Sequence, residues 1–424
     1  MGVVQRLRSE FSFIRGNYLV LVMSWILMDF GREIPETYYA LYVKGLGGTA
    51  TTIGIIAASS FVALAAVQFP GGYLADKFGR KWLISSMTFG VAFSYLFYAL
   101  APTWHLILVG SVFQSLCLIY QPALMAMISD SVPPQRRGMG FSIIFLINRV
   151  STTPGPLIAG FFFVTWGLID GVRIAYMILF VMFLAAAVMR LRLTETVVEA
   201  GKVTRSDILK AYPSALREGL AIWGKVRRSM FFLFLVNLLG SFSFAMVFPY
   251  FLLYAVEELG VLEVQWPFVL IVFSITMIVT ALPVGKLVDK AGRKKPLLLA
   301  QFLFLPAVLL FVYGDLIRLF LAMSLFGLAV ILSQSSITAL QTDLVPQTLR
   351  GKVIGSSQFF SYILMAIGAL IGGFLYESVS PQLPFLLLAM LIVPQAVLIA
   401  WLVHEPETRE RSVMESEAAG RSGQ

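Results

Sequence analysis

Long apolar runs alternate with short polar or basic segments along all 424 residues of the chain. Crossing a hydrocarbon core of about 30 Å takes about 20 mostly apolar helical residues, because lipid offers backbone groups no hydrogen-bond partners. The alternating segments of a porin-type barrel are not seen in the sequence. The pattern predicts an all-α membrane protein with twelve spans, numbered in chain order as 18–42, 52–75, 82–101, 105–129, 139–166, 174–191, 229–254, 266–288, 296–313, 317–341, 352–376 and 383–403.

Composition narrows the class of protein further. Hydrophobic residues make up 58% of the chain and charged residues 13%, whereas soluble domains carry about 25% charged residues. The single cysteine, Cys117, excludes a disulfide framework and a cysteine-based metal site, and we predict no cofactor. The N-terminal segment is polar and basic and lacks a cleavage site, which indicates a retained tail and not a signal peptide.

The net charge of +9 comes from the loops and does not indicate a nucleic-acid partner. All lysines and arginines except five lie on one side of the predicted membrane. The exceptions are Lys44, Arg173 and Arg318 in loops of the other side, and Arg32 and Arg149 inside spans. Basic residues accumulate in cytoplasmic loops. We therefore predict a multi-pass protein of the cell membrane with both termini in the cytoplasm.

Two sequence motifs recur at an offset of 213 residues. The first motif follows spans 2 and 8, with the copies Gly72, Asp76 and Arg80, and Gly285, Asp289 and Arg293. The second motif follows spans 4 and 10, with the copies Asp130 and Arg137, and Asp343 and Arg350. Two different motifs at one offset indicate duplicated, parallel halves, an arrangement known among transporters. The predicted parts are a tail 1–17, a bundle 18–191, a central loop 192–228, a bundle 229–403 and a tail 404–424.

The central loop, counted from Arg190, holds nine basic residues and four acidic ones. Apolar and charged residues alternate at helical spacing between Ser206 and Arg228. This spacing is compatible with a helix along the inner membrane surface, and equally with a tether between the halves.

The segment Gly72–Lys81 resembles the loop 2–3 signature of the major facilitator superfamily, and Gly285–Lys294 resembles its second copy. The resemblance implies two pseudo-symmetric six-helix bundles around a central cavity that opens alternately to either side. It also implies that Asp76 locks the halves together at the N-terminus of span 11. In physical terms, Gly72 would let two helices approach closely, and Asp76 would pair with Arg80 near a positive helix end. Without a gating role, these loops would be basic turns that set topology.

Span 5 carries a motif that resembles the signature of the drug:proton antiporter branch of that superfamily: Pro154, Gly155, Pro156 and Gly160. The usual pattern ends in two glycines, and Ala159 replaces the first of them. Antiporters of this branch usually also carry an arginine in span 4, where this chain has Ser111 in the best alignment. The alternative is an ordinary helix kink, since prolines break backbone bonds and small residues permit tight packing.

Span 1 contains four ionisable residues, each of which is a hypothesis of function because charge inside a membrane is costly. They share one helical face with Trp25, being spaced i, i+3, i+4 and i+7: Asp29, Arg32, Glu33 and Glu36. Counted from Tyr18, Asp29 lies about 16 Å deep in span 1, and counted from Arg137, Arg149 lies about 18 Å deep in span 5. The two side chains therefore share a depth, and ionised groups at one depth seek each other.

We predict a buried network that lines the cavity and couples protons to substrate, made of Asp29, Arg32, Glu33 and Arg149. The alternative is a static pair that holds span 1 to span 5. The repeat mates of Asp29 and Arg149 are the uncharged Phe242 and Tyr362, and this asymmetry favours function. Two further repeat mates, Gln121 and Gln334, would face the cavity in this family and either bind substrate or bond across helices.

The function predicted is secondary active transport by alternating access, with proton-coupled export of lipophilic or amphiphilic compounds such as drugs. The partners predicted are a small-molecule substrate, protons and the bilayer, and the protein is predicted to be a monomer. The alternative is an uptake symporter or facilitator for a polar or anionic metabolite, with Arg32 or Arg149 holding the anionic group. An enzyme is not predicted, because His105 and His404 lie at helix ends and no nucleophile triad is present. A receptor or scaffold is disfavoured by the two gate-like loops.

Overall fold

The computed structural model describes residues 13–133, 136–196, 213 and 216–405. In the first half the helices are Gly16–Glu36 and Tyr39–Gly45 (span 1), Ala50–Phe78 (span 2), Arg80–Ala99 (span 3), Trp104–Cys117 and Gln121–Ser131 (span 4), and Arg137–Thr152 and Gly155–Arg190 (spans 5 and 6). In the second half they are Arg228–Val247 and Phe251–Glu257 (span 7), Trp266–Ala291 (span 8), Lys294–Val312 (span 9), Leu316–Leu344 (span 10), Gln347–Ser378 (span 11) and Leu383–Leu402 (span 12). Short 3₁₀ turns occur at Leu118–Tyr120, Ile222–Gly224, Phe248–Tyr250 and Glu263–Gln265.

Ten helices in the described ranges are long and apolar enough to cross a membrane. Span 1 is not among them because ionisable residues lie on its helix. The segment Leu146–Arg190 counts once although its 45 residues would extend about 68 Å, twice the hydrocarbon core. Its helix is interrupted at Gly167, where φ is +75°. A Cβ at Gly171 would lie 2.8 Å from the carbonyl oxygen of Phe162, so the chain reverses there and forms spans 5 and 6.

The tight turns that follow spans 2 and 8 depend on one glycine of the repeated motif. Gly79 has φ +88° and Gly292 has φ +85°, in a region where only glycine avoids a steric penalty. The two glycines are 213 residues apart. The motif therefore fixes the same helix–turn–helix geometry in both halves.

Spans 1 to 6 form one bundle and spans 7 to 12 the other, which confirms the predicted fold class. In the first bundle, span 1 packs between spans 5 and 6. A Cβ at Gly155 of span 5 would lie 2.5 Å from Cβ of Glu33, and one at Gly31 would lie 2.8 Å from Sδ of Met182 in span 6. Small residues thus let span 1 approach both neighbours, as is typical of membrane helices.

The bundles meet along two seams, between spans 2 and 11 and between spans 5 and 8. At the first seam, a Cβ at Gly373 would lie 2.8 Å from the carbonyl oxygen of Ala50. At the second, a Cβ at Gly160 would lie 3.1 Å from Pro267. Gly160 and Gly373 are repeat mates, so the duplication extends to the contact between the halves.

Contacts between distant segments define two ends of the molecule. At the end we call the basic face, Thr194 after span 6 bonds Asn17 in the first turn of span 1, and His404 after span 12 bonds Ser229 of span 7. The other end, which we call the opposite face, holds the turns at 46–49, 100–103, 258–265, 313–315 and 379–382.

The central loop packs on protein where it is described. Ile222 is buried, Trp223 donates from Nε1 to Oγ of Ser356 at 3.0 Å, and Ser356 donates to the carbonyl oxygen of Gly219 at 2.7 Å. Lys352 bonds Glu218 at 2.9 Å and holds the pKa of that carboxyl below its usual range. Residues 218–223 are therefore docked onto span 11, while most of the segment Ser206 to Arg228 lies outside the described residues.

Candidate functional site

The charged face of span 1 divides into one buried group and three accessible ones. Asp29 is only 5% exposed, Glu33 is half-buried, and Arg32 and Glu36 are exposed. Trp25, one turn earlier, is half-buried beside the core. The sequence-predicted residues thus share a face, as their spacing requires, but only Asp29 is fully enclosed.

Asp29 is bonded to span 5 through Asn148 and not through Arg149, the partner predicted from the sequence. Nδ2 of Asn148 donates to Oδ2 of Asp29 at 2.6 Å. Arg149, the next residue, is exposed, and among the described residues no ion pair within 4 Å joins it to an acid of span 1. The direct pair expected from equal depth is therefore not formed, because the helical rotation between positions 148 and 149 turns Arg149 away.

Arg32, Glu33, Glu36 and Arg149 form what we call the cavity cluster. Their charges act on one another through space, since Arg32 interacts electrostatically with Glu33 and Glu36, and Arg149 with Glu33. None of these pairs is a salt bridge within 4 Å in the described structure. A charged side chain that is accessible inside a span faces a water-filled cavity, because exposure to lipid is far costlier. The cluster therefore holds accessible charges of both signs, and none of them forms a salt bridge among the described residues.

Gln121 and Gln334 occupy corresponding places in spans 4 and 10. Each is exposed and lies about 15 Å from the basic-face end of its span. Span 4 is interrupted by the 3₁₀ turn Leu118–Tyr120 directly before Gln121, whereas span 10 is continuous. Both amides are thus accessible near the middle of their spans, and their role as cavity residues stays a prediction.

The span 5 motif joins span 1 to the other half of the molecule. Pro154 and Pro156 flank the start of the helix that begins at Gly155. Gly155 contacts the backbone and Cβ of Glu33, and Gly160 contacts Pro267 of span 8. The motif thus carries the two close approaches of span 5, and its prolines break the helix at the depth of the cavity cluster.

The two repeated motifs contact each other within each half at the basic face. Arg80 pairs with Asp130, and its repeat mate Arg293 pairs with Asp343 at 3.0 Å. These equivalent pairs link the loop after spans 2 and 8 to the end of spans 4 and 10. Sequence repetition alone did not predict this partnership.

Other gate residues differ from expectation or lie outside the description. No described atom lies within 4 Å of a Cβ built at Gly72 or at Gly285. The expected close approach is made by Gly71 instead, where a Cβ would lie 2.4 Å from the carbonyl oxygen of Ile119. Arg350 donates to the carbonyl oxygen of Thr342 at 2.6 Å. Asp289 is exposed, and the side chains of Asp76 and Arg137 lie outside the described residues.

Sequence reasoning missed two carboxylates at the basic face. Glu195 accepts from the backbone N–H groups of Arg80 and Lys81, both at 3.0 Å. Glu405 accepts from those of Arg293 and Lys294 at 2.8 and 2.7 Å. Each carboxylate occupies the positive N-terminus of a helix. Glu195 and Glu405 are 210 residues apart, so a search at the motif offset does not find them.

Sequence reasoning also missed the polar contacts between the halves at the opposite face. Lys44 of span 1 pairs with Glu257 of span 7, and these two are repeat mates. The backbone N–H of Thr51, in the first turn of span 2, donates to Oε2 of Glu377 in span 11 at 2.7 Å. Tyr38 donates from its hydroxyl to the carbonyl oxygen of Glu263 at 2.9 Å. Together these contacts join the bundles at this face.

An apolar groove opens between spans 2, 4 and 11. Its volume is about 600 Å³. The side chains that line it include Val62 and Ala66 of span 2, Leu116 of span 4, and Ile363 and Ile367 of span 11. The lining is apolar apart from Ser59, so it accepts hydrocarbon and offers little to a polar group.

Comparisons with known proteins agree with this architecture. Residues 21–365 match the family model described as Major Facilitator Superfamily, and a second match covers residues 233–422. The chain is 25% identical over 367 residues to the Multidrug resistance protein MdtH of Photorhabdus laumondii subsp. laumondii, covering 82% of this chain and 85% of that protein.

Two further similarities are more limited. The chain is 30% identical over 158 residues to a Na(+), Li(+), K(+)/H(+) antiporter of Planococcus maritimus, and this match spans 36% of the chain and 35% of the antiporter. A solved structure of a bacterial homologue of the human lysosomal transporter Spinster has a TM-score of 0.70, with 15% identity over 90% of this chain and 95% of that one. At that identity the likeness concerns the fold alone.

Proposed function

Because this chain belongs to the Major Facilitator Superfamily, it is a membrane transporter and not an enzyme, and we propose that it exports lipophilic or amphiphilic small molecules in exchange for protons. The observation that carries the proton coupling is the environment of Asp29. This carboxyl is buried and is bonded by the neutral amide of Asn148. A carboxyl held by a neutral donor can gain and lose a proton, whereas one locked to an arginine in a salt bridge stays ionised.

The proposed route of exchange follows from the two ends of the molecule. The contacts of Lys44 with Glu257 and of Thr51 with Glu377 hold the bundles together at the opposite face. Arg32 and Glu36 are nonetheless exposed. Water would therefore reach them from the basic face, and we assign this structure to the state that is open to that side. Transport then requires the contacts at the opposite face to break as the basic face closes.

The substrate class is proposed from the surfaces available to it. The groove between spans 2, 4 and 11 offers about 600 Å³ of apolar volume, and Glu33 and Glu36 of the cavity cluster offer negative charge. A compound with an apolar body and a cationic group would use both. The similarity to Multidrug resistance protein MdtH supports the same class.

Flux measurements in proteoliposomes test this proposal. With an imposed pH gradient and a panel of lipophilic cations, anions and neutral compounds, we expect gradient-driven movement of the cations and accompanying proton movement. Asp29→Asn should abolish the gradient-driven component while leaving gradient-free exchange, because only the proton-binding group is lost. Full gradient-driven flux in Asp29→Asn would exclude coupling through this residue.

A second candidate function is favoured by one specific observation. Arg32 and Arg149 are exposed and form no ion pair within 4 Å among the described residues. Two unpaired guanidinium groups in a cavity suit a carboxylate or phosphate ligand. Uptake or facilitated passage of an anionic metabolite predicts that Arg149→Met raises the KM for anions and has little effect on cations. Cation export predicts the reverse order of sensitivity, with Glu33→Gln the more damaging change.

In the proposed orientation the protein lies in the cell membrane, and the basic face and both termini lie in the cytoplasm. Cysteine labelling tests it, since the native Cys117 is buried and gives little background. An impermeant maleimide added to intact cells should label Tyr313→Cys, at the opposite face, and not His404→Cys, at the basic face. Labelling of His404→Cys in sealed cells would place the basic face outside the cell and contradict the proposed topology.

A further inference from the structure

Arg190 is among the largest fully buried side chains of the described structure, at 0% exposure. It ends span 6 at the basic face, where an arginine would ordinarily extend outward to water. Its guanidinium instead enters the first bundle. Nε donates to Oγ of Ser24 at 3.0 Å and Nη1 donates to Oγ1 of Thr88 at 2.8 Å, residues that lie about 12 Å along spans 1 and 3.

These contacts leave the charge of Arg190 without a direct counter-ion. The guanidinium also lies over the ring of Tyr120, whose centroid is 5.5 Å from Cζ. No acid of the described chain forms a salt bridge with Arg190, and its buried Nη2 has no hydrogen-bond partner. A buried charge of this kind is strongly unfavourable unless another charge compensates it.

Asp29 is the acid placed to compensate it. Asp29 follows Ser24 by five residues on span 1, about 7.5 Å further along the helix axis, and Asp29 and Arg190 are the two charged side chains that are buried among the described residues. Arg32 is exposed, so water screens its charge. Arg190 is wholly buried, so water screens its charge far less.

The second half of the molecule has no charged residue at the positions that correspond to Arg190 and Asp29. The repeat mate of Arg190 is Val403, and that of Asp29 is Phe242. Both are apolar, and Val403 is fully buried. The fold therefore does not require a charge at either position, and the acid and the arginine occur as a pair in one half only.

We infer that Arg190 is the counter-ion of Asp29 within the first bundle and is a positioning residue for the proton-binding carboxyl. Asn148 bonds the carboxyl, and the buried charge of Arg190 stabilises its ionised form through space. Its consequence for transport rests on the proposed function, whereas the pairing itself does not.

The first arm of the test separates charge from hydrogen bonding. Arg190→Lys keeps the charge and loses the planar fork, while Arg190→Gln keeps donors and loses the charge. For a counter-ion we expect the apparent melting temperature of the purified protein to fall less in Arg190→Lys than in Arg190→Gln. The opposite order would assign Arg190 a hydrogen-bonding role only and overturn the inference.

The second arm is a double-mutant cycle with Asp29→Asn. We expect the loss of melting temperature caused by Arg190→Gln to be at least halved when Asp29→Asn is present, because the neutralised partner no longer needs the charge. Ser24→Ala and Thr88→Val are the matched controls, and their losses should be the same with and without Asp29→Asn. If Arg190→Gln alone yields no folded protein, recovery of the double variant supports the pairing, and failure to recover it overturns the pairing.

Transport is measured separately so that the two proposals fail separately. Coupling in the melting cycle with no gradient-driven flux in the native protein would keep the counter-ion and reject proton-coupled export. Gradient-driven flux with strictly additive melting losses would keep the export and reject the counter-ion. Arg190→Lys should retain gradient-driven flux that Arg190→Gln loses, which a purely structural role would not produce.

Discussion

Asp29 and Asn148 share the buried contact between spans 1 and 5, and Arg149 lies beside them with its side chain exposed. Counting the rise per residue along each helix predicted which part of span 5 lies at the depth of Asp29, because that rise is constant. It could not choose between two adjacent residues, because that choice depends on how span 5 is rotated. Rotation is set by the close approach of Gly155 to Glu33, which only the packed structure reveals.

The contact between Asp29 and Asn148 gives the first prediction. Asn148→Leu leaves a buried carboxyl without its donor, so we expect a loss of about 1–3 kcal/mol of stability, measured by thermal unfolding of the purified protein. Arg149→Met is the adjacent control and should change stability much less, since Arg149 is exposed and has no salt bridge among the described residues. A larger loss in the control would restore the ion-pair hypothesis.

Glycines of spans 5 and 11 give the second prediction. Gly155→Ala would place a Cβ 2.5 Å from that of Glu33, so the helices must separate, and we expect a lower melting temperature and slower transport. Gly355→Ala is the matched control, since no atom lies within 4 Å of its Cβ position. It should be neutral or stabilising by about 0.5–1 kcal/mol through helix propensity. Equal tolerance of both changes would mean that the contact at Gly155 is not tight.

At the scale of elements, the turns after spans 2 and 8 depend on two features. One is a motif that can be recognised in the sequence, and the other is a carboxylate whose contact with the turn cannot. Gly79 and Gly292 supply the left-handed turn, and periodic apolar runs place the helices on either side. Glu195 and Glu405 come from segments more than a hundred residues away. Their role was not predictable, because it depends on spans 6 and 12 ending beside spans 3 and 9.

These carboxylates give the third prediction. Glu195→Gln and Glu405→Gln remove a negative charge from a helix N-terminus, which is a loss of about 0.3–1 kcal/mol for each site. The melting temperature should fall modestly in each variant and additively in the double variant, since the two turns lie in different halves. Glu258→Gln, at an exposed position of the opposite face, serves as the comparison and should melt like the native protein.

At the scale of the whole molecule, the sequence predicted two related bundles because repetition at one offset is visible without a structure. It did not predict which faces meet. Lys44 was assigned only to a loop, and its pairing with Glu257 follows from the seams between spans 2 and 11 and spans 5 and 8. Contacts between the halves are set by the association of complete bundles, a property that no single segment encodes.

The pair at the opposite face gives the fourth prediction. Lys44→Glu should shift the population toward the state open at that face, because like charges replace an ion pair, while Lys44→Glu combined with Glu257→Lys should restore the native distribution. A half-exposed pair contributes about 0.2–1 kcal/mol, so the expected shift in the ratio of states is up to about fivefold. Distances between spin labels across the opposite face would measure it. Failure of the charge swap to restore the distribution would show that this contact does not control the equilibrium.

Lys44 and Glu257 occupy the same position of the two repeats and yet touch each other, so they lie on the pseudo-twofold axis. In a dimer of identical subunits, a residue on such an axis meets its own copy. A lysine there would face a lysine, and a glutamate would face a glutamate, so no ion pair could form. Joining the two copies in one chain removed that constraint and allowed the two positions to acquire opposite charges. The bond at the centre of the opposite face is therefore one that two identical subunits could not form.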